Sequence, residues 1–141
     1  AIIDGFMVRV RESVYIIPLE MVVECVDLPP SEKREGNRKA YINLRGAVLP
    51  YVRLREFFAD NGAAPRIESI VIVQYGGHKL GLVVDHLYGE VQAVIKSLGK
   101  VYKDVKGISG ATIMGDGTVA LILDIPRLVK YAEEEETARI H

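Results

Sequence analysis

Apolar residues occur along this chain in short runs that glycine, proline or charged residues separate, a pattern typical of β-strands. Strands are predicted at residues 7–10, 14–17, 21–26, 40–44, 47–54, 69–75, 79–85, 90–95, 107–114 and 119–123, with another near Val101. Helical spacing is confined to residues 125–136 and to one turn at 55–59. The pattern therefore predicts an all-β fold with short helices and a C-terminal helix.

Glycines mark the predicted turns between these strands. Gly76-Gly77 supplies the positive φ angles of a tight hairpin, and Gly115-Asp116-Gly117 predicts a second one. Pro126 lies where the first turn of the C-terminal helix accepts proline. Many short strands joined by such turns favour small barrels.

The chain contains a weak internal repeat. Residues 48–58 align without a gap with residues 119–129, and both runs pass from an apolar strand, predicted to be buried, into a short helical turn. Residues 6–10 and 15–20 likewise resemble residues 70–74 and 80–85. Three blocks in the same order favour duplication, with generic strand composition as the alternative. We expect one domain of two barrel subdomains, with the repeat boundary near residues 60–70.

Composition limits the possible partners. The 141 residues have a net charge of −1 and an apolar fraction of 49%, which describes an ordinary globular domain without the basic face that nucleic acids require. No apolar run approaches the length of a membrane span, so membrane insertion is not expected. Half-domains of this size are marginal alone and would need to share a core.

The two ends of the chain and its single cysteine add three expectations. Cys25 lies in an apolar strand, which predicts a buried, unreactive thiol and a reducing cytoplasm. The chain opens directly into strand-like residues, as a domain cut from a longer protein would. Residues 133–141 include an acidic run and are predicted to form a frayed or solvated tail.

The sequence carries no signature of catalysis. His78, His86 and His141 lack metal-ligand spacing, and one cysteine cannot complete a zinc site. Ser109 in Gly107-Ile108-Ser109-Gly110 does not complete the Gly-x-Ser-x-Gly of a nucleophile elbow, and the glycine-rich residues 107–117 lack the Gly-Lys-Ser/Thr of a phosphate-binding loop. We therefore expect no enzyme activity, no cofactor and no metal site.

Binding surfaces are the more promising features. The strands at 21–26 and 91–95 either close the barrels or present edges to partners. Arg45 lies where a predicted loop meets a strand, and Glu24 on another apolar strand is a candidate to pair with it. The alternative for Arg45 is an exposed charge at a strand end.

Several segments together resemble the C-terminal regulatory domain of the bacterial chemotaxis histidine kinase CheA. They are the opening residues 1–10, residues 15–19, residues 44–58 from Leu44-Arg45-Gly46 to Phe57-Phe58, and residues 107–124 around Gly115-Asp116-Gly117. The resemblance covers roughly residues 1–132. The related free adaptor CheW is the alternative. The opening Ile-Ile-Asp-Gly and the charged loop at 31–39, which is not proline-rich, favour the kinase version. An unrelated small-barrel binding module is a third, more distant possibility.

This resemblance implies a fold and a set of partners. The fold would be two SH3-like five-stranded barrels related by a pseudo-twofold axis. The implied role is noncatalytic scaffolding that couples receptor state to kinase activity. The implied partners are the adaptor CheW, chemoreceptor cytoplasmic tips and the kinase's own ATP-binding domain, which would lie N-terminal to this chain. The implied location is cytoplasmic, at the inner face of the membrane within receptor arrays.

The resemblance also suggests contact residues. Glu24 in Val22-Val23-Glu24 and Arg45 in Asn43-Leu44-Arg45-Gly46 match positions that contribute to partner contacts in CheW-like proteins. In the second repeat we expect Ile95, Leu98 and Ile108 to contribute, because they are apolar residues near predicted loops.

Overall fold

The computed structural model describes residues 2–28, 41–59, 67–96 and 106–140, with no description of the side chains of residues 136–140. The described residues form ten strands, a 3₁₀ turn at Leu19–Met21 and two α-helices. The strands are β1 Ile2–Val10, β2 Ser13–Pro18, β3 Val22–Asp27, β4 Tyr41–Leu44, β5 Ala47–Arg53, β6 Ser69–Tyr75, β7 His78–Val84, β8 His86–Val94, β9 Ile108–Ile113 and β10 Val119–Leu123. The helices are α1 Leu54–Phe57 and α2 Ile125–Ile140.

The strands form two five-stranded curled sheets, which confirms the predicted fold class. The first sheet has the order β8-β1-β2-β10-β9, and the second has the order β3-β6-β7-β5-β4. In each sheet one pair is parallel, β2 with β10 and β5 with β7, and the other neighbours are antiparallel. The predicted strand near Val101 lies outside the described residues.

The two sheets do not correspond to the two halves of the sequence. The two sheets have equivalent strand orders, as expected of a duplicated chain: each strand of the first sheet matches the strand of the second sheet that lies five places earlier or later in the chain. The strands β8, β1, β2, β10 and β9 thus correspond to β3, β6, β7, β5 and β4. However, β1 and β2 from the first half join β8, β9 and β10 from the second, and β3, β4 and β5 join β6 and β7. Each sheet is therefore assembled from both repeats.

The first sheet closes on itself. Lys96, just after β8, forms an isolated antiparallel bridge with Ala111 in β9, and the Lys96 amide donates to the Ala111 carbonyl at 2.8 Å. Since β8 and β9 are the two edges of the strand order, this bridge completes a barrel.

Three apolar clusters form the core. One cluster around Ile16 and Ile122 fills the first barrel, and another around Ile70 and Ile72 fills the second. The largest cluster lies between the barrels and combines residues of both sheets with both helices. Its fully buried members include Val8, Ile17, Leu54, Val71, Val73, Leu82, Ile125 and Leu128. The expected shared core is therefore present at the junction.

Strands that border the junction are buried on both faces. In β6, Ile70 and Ile72 face the barrel interior while Val71 and Val73 face the junction. This placement explains the continuous apolar run Ile70-Val71-Ile72-Val73, because a strand buried on both faces does not alternate with polar residues.

Two glycines permit close packing inside the barrels. A Cβ atom added to Gly5 would lie 2.4 Å from Ile16 Cγ2, and one added to Gly81 would lie 2.8 Å from Ile70 Cγ2. Neither position leaves room for a side chain. The turn glycines Gly76 and Gly77 have φ angles of 58° and 80°, as the predicted hairpin requires.

The C-terminal helix is longer than the sequence indicated. Its first half places Ile125, Leu128 and Val129 in the junction core, and Asp124 accepts a hydrogen bond from the Arg127 amide at 3.2 Å as an N-cap. The helix then continues to Ile140 through the segment that was predicted as a frayed or solvated tail.

Candidate functional site

The centre of the candidate site is an ion pair between Glu24 on β3 and Arg45 in the β4–β5 turn. The Arg45 Nη2 atom donates to the Glu24 carboxylate, so the pairing that the sequence suggested is present. The strands β3 and β4 are the two edges of the second sheet. The ion pair therefore spans the opening of the second barrel.

Arg45 occupies a backbone conformation that favours glycine. The two-residue turn Arg45-Gly46 has φ angles of 50° and 86°, and the Gly46 amide donates to Asn43 Oδ1 at 3.0 Å. Positive φ is uncommon for a long side chain and is strained relative to glycine or asparagine. The turn nevertheless holds an arginine whose side chain is 66% exposed.

The ion pair shifts both ionisation equilibria. The hydrogen bond from Arg45 holds the pKa of Glu24 below its ordinary value, and the positive charges of Arg45 and Lys79 add to that effect. The same hydrogen bond from Glu24 raises the pKa of Arg45. Both groups are therefore charged at neutral pH.

Beside the ion pair lies an open groove of ≈570 Å³. Apolar residues of β5, β6, β7 and α2 form its floor, and charged residues form its rim. The floor includes Leu49, Ile72, Leu80, Val129 and Ala132. The rim includes Glu24, Arg45, Lys79, and His78 with Glu133, whose Nδ1 and Oε1 atoms are 3.1 Å apart. An apolar floor with a charged rim suits a protein segment better than a small polar substrate.

Each barrel also exposes an apolar residue near the start of the strand that leads into a helix, β5 before α1 and β10 before α2. In β5, Val48 is 71% exposed, whereas Val52 further along the strand and Leu54 at the start of α1 are buried. In β10, Val119 is 48% exposed, whereas Leu123 is buried. Val48 and Val119 occupy equivalent repeat positions, so the sequence-based expectation that both lie in buried strands is wrong at these two residues.

The exposed end of the first barrel is a cross-strand row. Ile2 pairs with Val94, and Ile113 pairs with Val119. The register of the Lys96–Ala111 bridge, continued by two residues, places Val94 opposite Ile113. All four side chains are between 48% and 69% exposed. Contiguous exposed apolar residues of this kind mark interaction surfaces more often than isolated ones do.

The remaining predicted contact residues have different environments. Ile95 is 36% exposed and follows the exposed end of β8, with its Cγ2 atom 3.2 Å from the position that a Cβ on Gly110 would occupy. Ile108 is 6% exposed and belongs to the junction core, so its side chain does not lie on the surface. Leu98 lies outside the described residues.

Sequence reasoning missed a second polar centre at the junction. Arg55 in α1 donates to Asp85 between β7 and β8 at 2.7 Å, and the two side chains are 12% and 9% exposed. The amide of Arg11 donates to the other Asp85 oxygen at 2.7 Å. The repeat did align Asp85 with Glu20, yet nothing in the pattern indicated that Asp85 would meet Arg11 and Arg55.

The described residues contain little that resembles a catalytic or metal centre. Within residues 2–28, 41–59, 67–96 and 106–140, no three His, Cys, Asp or Glu side chains are placed to hold a metal ion. Cys25 is half-buried against the junction core, and burial raises the pKa of its thiol, which disfavours the reactive thiolate. Among the described helices, none combines the length and apolar character that crossing a membrane takes.

Comparison with known proteins places the chain in a family. The CheW-like domain profile matches residues 4–133. The chain is 42% identical over 139 residues to chemotaxis protein CheA of Klebsiella aerogenes, 40% identical over 144 residues to CheA of Salmonella typhimurium and 37% identical over 135 residues to sensor histidine kinase CheAY of Helicobacter pylori. These alignments cover 96%, 98% and 94% of this chain but 21%, 21% and 17% of the relatives.

A solved structure shows the same fold. The crystal structure of the scaffolding protein TtCheW from Thermoanaerobacter tengcongensis superposes with a TM-score of 0.71, covering 88% of this chain and 90% of that one at 21% identity. The sequence-based resemblance to the regulatory domain of CheA is therefore confirmed. The chain belongs to the CheW-like domain family.

Proposed function

We propose that this chain is a noncatalytic regulatory and scaffolding domain of a chemotaxis histidine kinase. Its CheW-like fold and its sequence identity of 42% and 40% to two proteins named CheA support this role. The chain spans about a fifth of the length of these relatives. In this proposal the kinase activity belongs to other parts of the protein.

The observation that carries the proposal is the pair of exposed apolar barrel ends. The row Ile2, Val94, Ile113 and Val119 lies on the first barrel, and Val48, which is 71% exposed, lies on the second. A partner with the same two-barrel fold would present equivalent surfaces, so barrel ends would meet apolar face to apolar face. The adaptor CheW is the proposed partner for these ends, with Ile95 close to the contact.

The ion pair Glu24–Arg45 is the proposed polar component of this contact. Residues held in unfavourable backbone conformations persist where the surroundings or a function require that side chain. Since asparagine or glycine would form the turn with less strain, the arginine at position 45 is best explained by what its side chain contacts. An exposed guanidinium suits a carboxylate or a carbonyl on a partner.

The groove beside the ion pair is the proposed docking site for a chemoreceptor tip. Its apolar floor between the second barrel and α2 fits the apolar face of a partner helix. The kinase's own ATP-binding domain is a third proposed partner. Through these contacts the domain would reside in receptor arrays at the cytoplasmic face of the membrane.

Isothermal titration of this chain with purified CheW tests the proposal. We expect a dissociation constant on the order of micromolar, because individual contacts in an array are modest and gain avidity from repetition. The substitution Arg45→Glu should weaken binding roughly tenfold, as loss of an important interface side chain does. Its thermal unfolding midpoint should stay close to that of the parent, since exposed ion pairs stabilise proteins little.

The control is Lys130→Glu, which reverses an exposed charge on α2 that is not among the residues lining the groove and should leave binding unchanged. Absence of binding by the parent chain up to roughly 100 µM would refute the proposed partner. A large fall in the unfolding midpoint of Arg45→Glu would show instead that the ion pair is mainly structural.

A free CheW-type adaptor is the second candidate, and the fold match to TtCheW over most of both chains favours it. The sequence upstream of Ala1 in the full gene decides between the two. An ATP-binding domain there supports the kinase, and its absence supports the adaptor.

A further inference from the structure

Asp85 lies at a point where the chain passes from one barrel to the other. Among the described strands this happens twice, between β2 and β3 through the 3₁₀ turn Leu19–Met21 and between β7 and β8 at Asp85. The two crossovers are equivalent in the repeat, and Glu20 is the counterpart of Asp85. Any change in the angle between the barrels must be taken up at these two crossovers and across the junction core.

The Asp85 carboxylate joins groups from both barrels. Its Oδ2 atom accepts from the amide of Arg11, which lies in the β1–β2 turn of the first barrel. Its Oδ1 atom accepts from Arg55 Nη2, in α1 at the end of a second-barrel strand. The Asp85 amide donates to the carbonyl of Arg9 at 3.0 Å, which fixes its backbone to the first barrel as well. One residue thus connects the two barrels directly.

The other crossover lacks this arrangement. Glu20 is exposed, and the repeat position equivalent to Arg55 is Pro126, which has no cationic group. The same fold therefore makes an equivalent crossover without a largely buried carboxylate–guanidinium pair. Formation of the crossover does not explain why Asp85 and Arg55 are present.

Stability alone is also a weak explanation for this pair. Removing two charges from water is costly, and well-packed apolar residues often replace buried ion pairs without loss of stability. The Nε atom of Arg55 is in addition buried without a hydrogen-bond partner among the described residues, which adds a further penalty. A directional contact, in contrast with apolar packing, specifies one orientation of the groups that it joins.

We propose that Asp85, held by Arg55 and the Arg11 amide, is an orientation lock that fixes the angle between the two barrels. Without it, the junction core still joins the barrels but permits more than one relative orientation. If the lock fixes this angle, a change in orientation caused by a partner at one barrel end reaches the other barrel end; this consequence rests on the proposed function. The lock itself does not, since it concerns only this chain.

The test measures the distance between the two barrel ends by double electron–electron resonance. Spin labels are attached to Val48→Cys and Val119→Cys, which are exposed and equivalent in the two barrels, in a Cys25→Ala background. We expect a single narrow distance distribution for this parent. Asp85→Asn keeps the shape of the side chain but removes its charge, and it should broaden or shift the distribution. The matched control Glu20→Gln removes the equivalent charge at the other crossover and should leave the distribution unchanged.

The outcomes separate the possibilities. A parent-like distribution in Asp85→Asn, or an equal broadening in Glu20→Gln, overturns the proposal. If Asp85→Asn fails to fold, Arg55→Met is measured in its place, since it keeps an apolar stem of similar length; broadening supports the lock and a parent-like distribution refutes it. Failure of CheW to bind this chain would refute the proposed function and leave the distance result intact.

Discussion

Arg45 and Asp85 show how differently two charged residues of one domain can be used. Arg45 is exposed on a tight turn, and its carboxylate partner Glu24 stands at the opposite edge of the sheet. Asp85 is enclosed by backbone and side-chain donors from both barrels. The exposed side chain of Arg45 can therefore contact a partner, whereas the carboxylate of Asp85 contacts only groups of this domain.

The titration of Glu24 tests the ion pair at the scale of one residue. Because Arg45 lowers the pKa of Glu24 in the folded protein, the pair contributes stability that is present above the unfolded-state pKa and is lost as the pH falls through the folded-state pKa. By NMR, the Glu24 carboxyl should titrate below the ordinary glutamate range. In Arg45→Gln its midpoint should move upward, because the main cause of the shift is removed. An unchanged midpoint in that variant would contradict the pairing.

The presence of the pair was predictable in part from sequence. Leu44-Arg45-Gly46 marked a charged residue beside a turn glycine, and Glu24 was an isolated acid in an apolar strand. The burial of Asp85 was not predictable, because Asp85 and its partners Arg11 and Arg55 lie in three segments that are far apart along the chain. The local pattern of polar and apolar residues does not indicate which distant side chain a residue will contact.

At the scale of elements, α2 is the main cover of the junction core. Its apolar residues recur at helical spacing, and Leu128 is fully buried among residues of both barrels. That face was evident from sequence, since Ile125, Leu128, Val129 and Ala132 follow the period of an amphipathic helix. The end of the helix was not evident, because the acidic residues beyond Ala132 are compatible with either a helix or a solvated tail.

Truncation of this helix contact should be costly. Leu128→Ala removes a fully buried side chain from the largest core cluster, and we expect it to reduce the free energy of unfolding by about 2–5 kcal/mol. Urea unfolding followed by circular dichroism measures the change. Lys130→Ala, on the exposed face of the same helix, is the control and should change stability by less than about 0.5 kcal/mol. Equal effects of the two substitutions would show that α2 is not docked on the junction.

At the scale of the whole molecule, the exchange of strands makes the two barrels interdependent. The first half of the chain supplies two strands to one sheet and three to the other, and the second half does the reverse. The largest core cluster moreover lies between the sheets. Neither repeat contains a complete barrel, although each contains five described strands.

This topology predicts that the repeats cannot fold alone as monomers. Peptides of residues 1–66 and 67–141 should each show no cooperative thermal transition at low concentration, because every sheet lacks strands from the other half. Mixing them should restore a cooperative transition, which circular dichroism detects. A monomeric half that unfolds cooperatively, with its mass established by analytical ultracentrifugation, would contradict the interleaved arrangement.

The sequence by itself determined the strand content, the duplication, the principal turns and the family, because these depend on local periodicity, glycine positions and residue identity. It also indicated Glu24 and Arg45 as a pair. Only the tertiary structure decided which strands share a sheet, which ends of apparently buried strands are exposed, and that Asp85 joins the barrels. These features depend on pairing between segments that are distant along the chain, and an apolar strand has the same local pattern whichever apolar strand it pairs with.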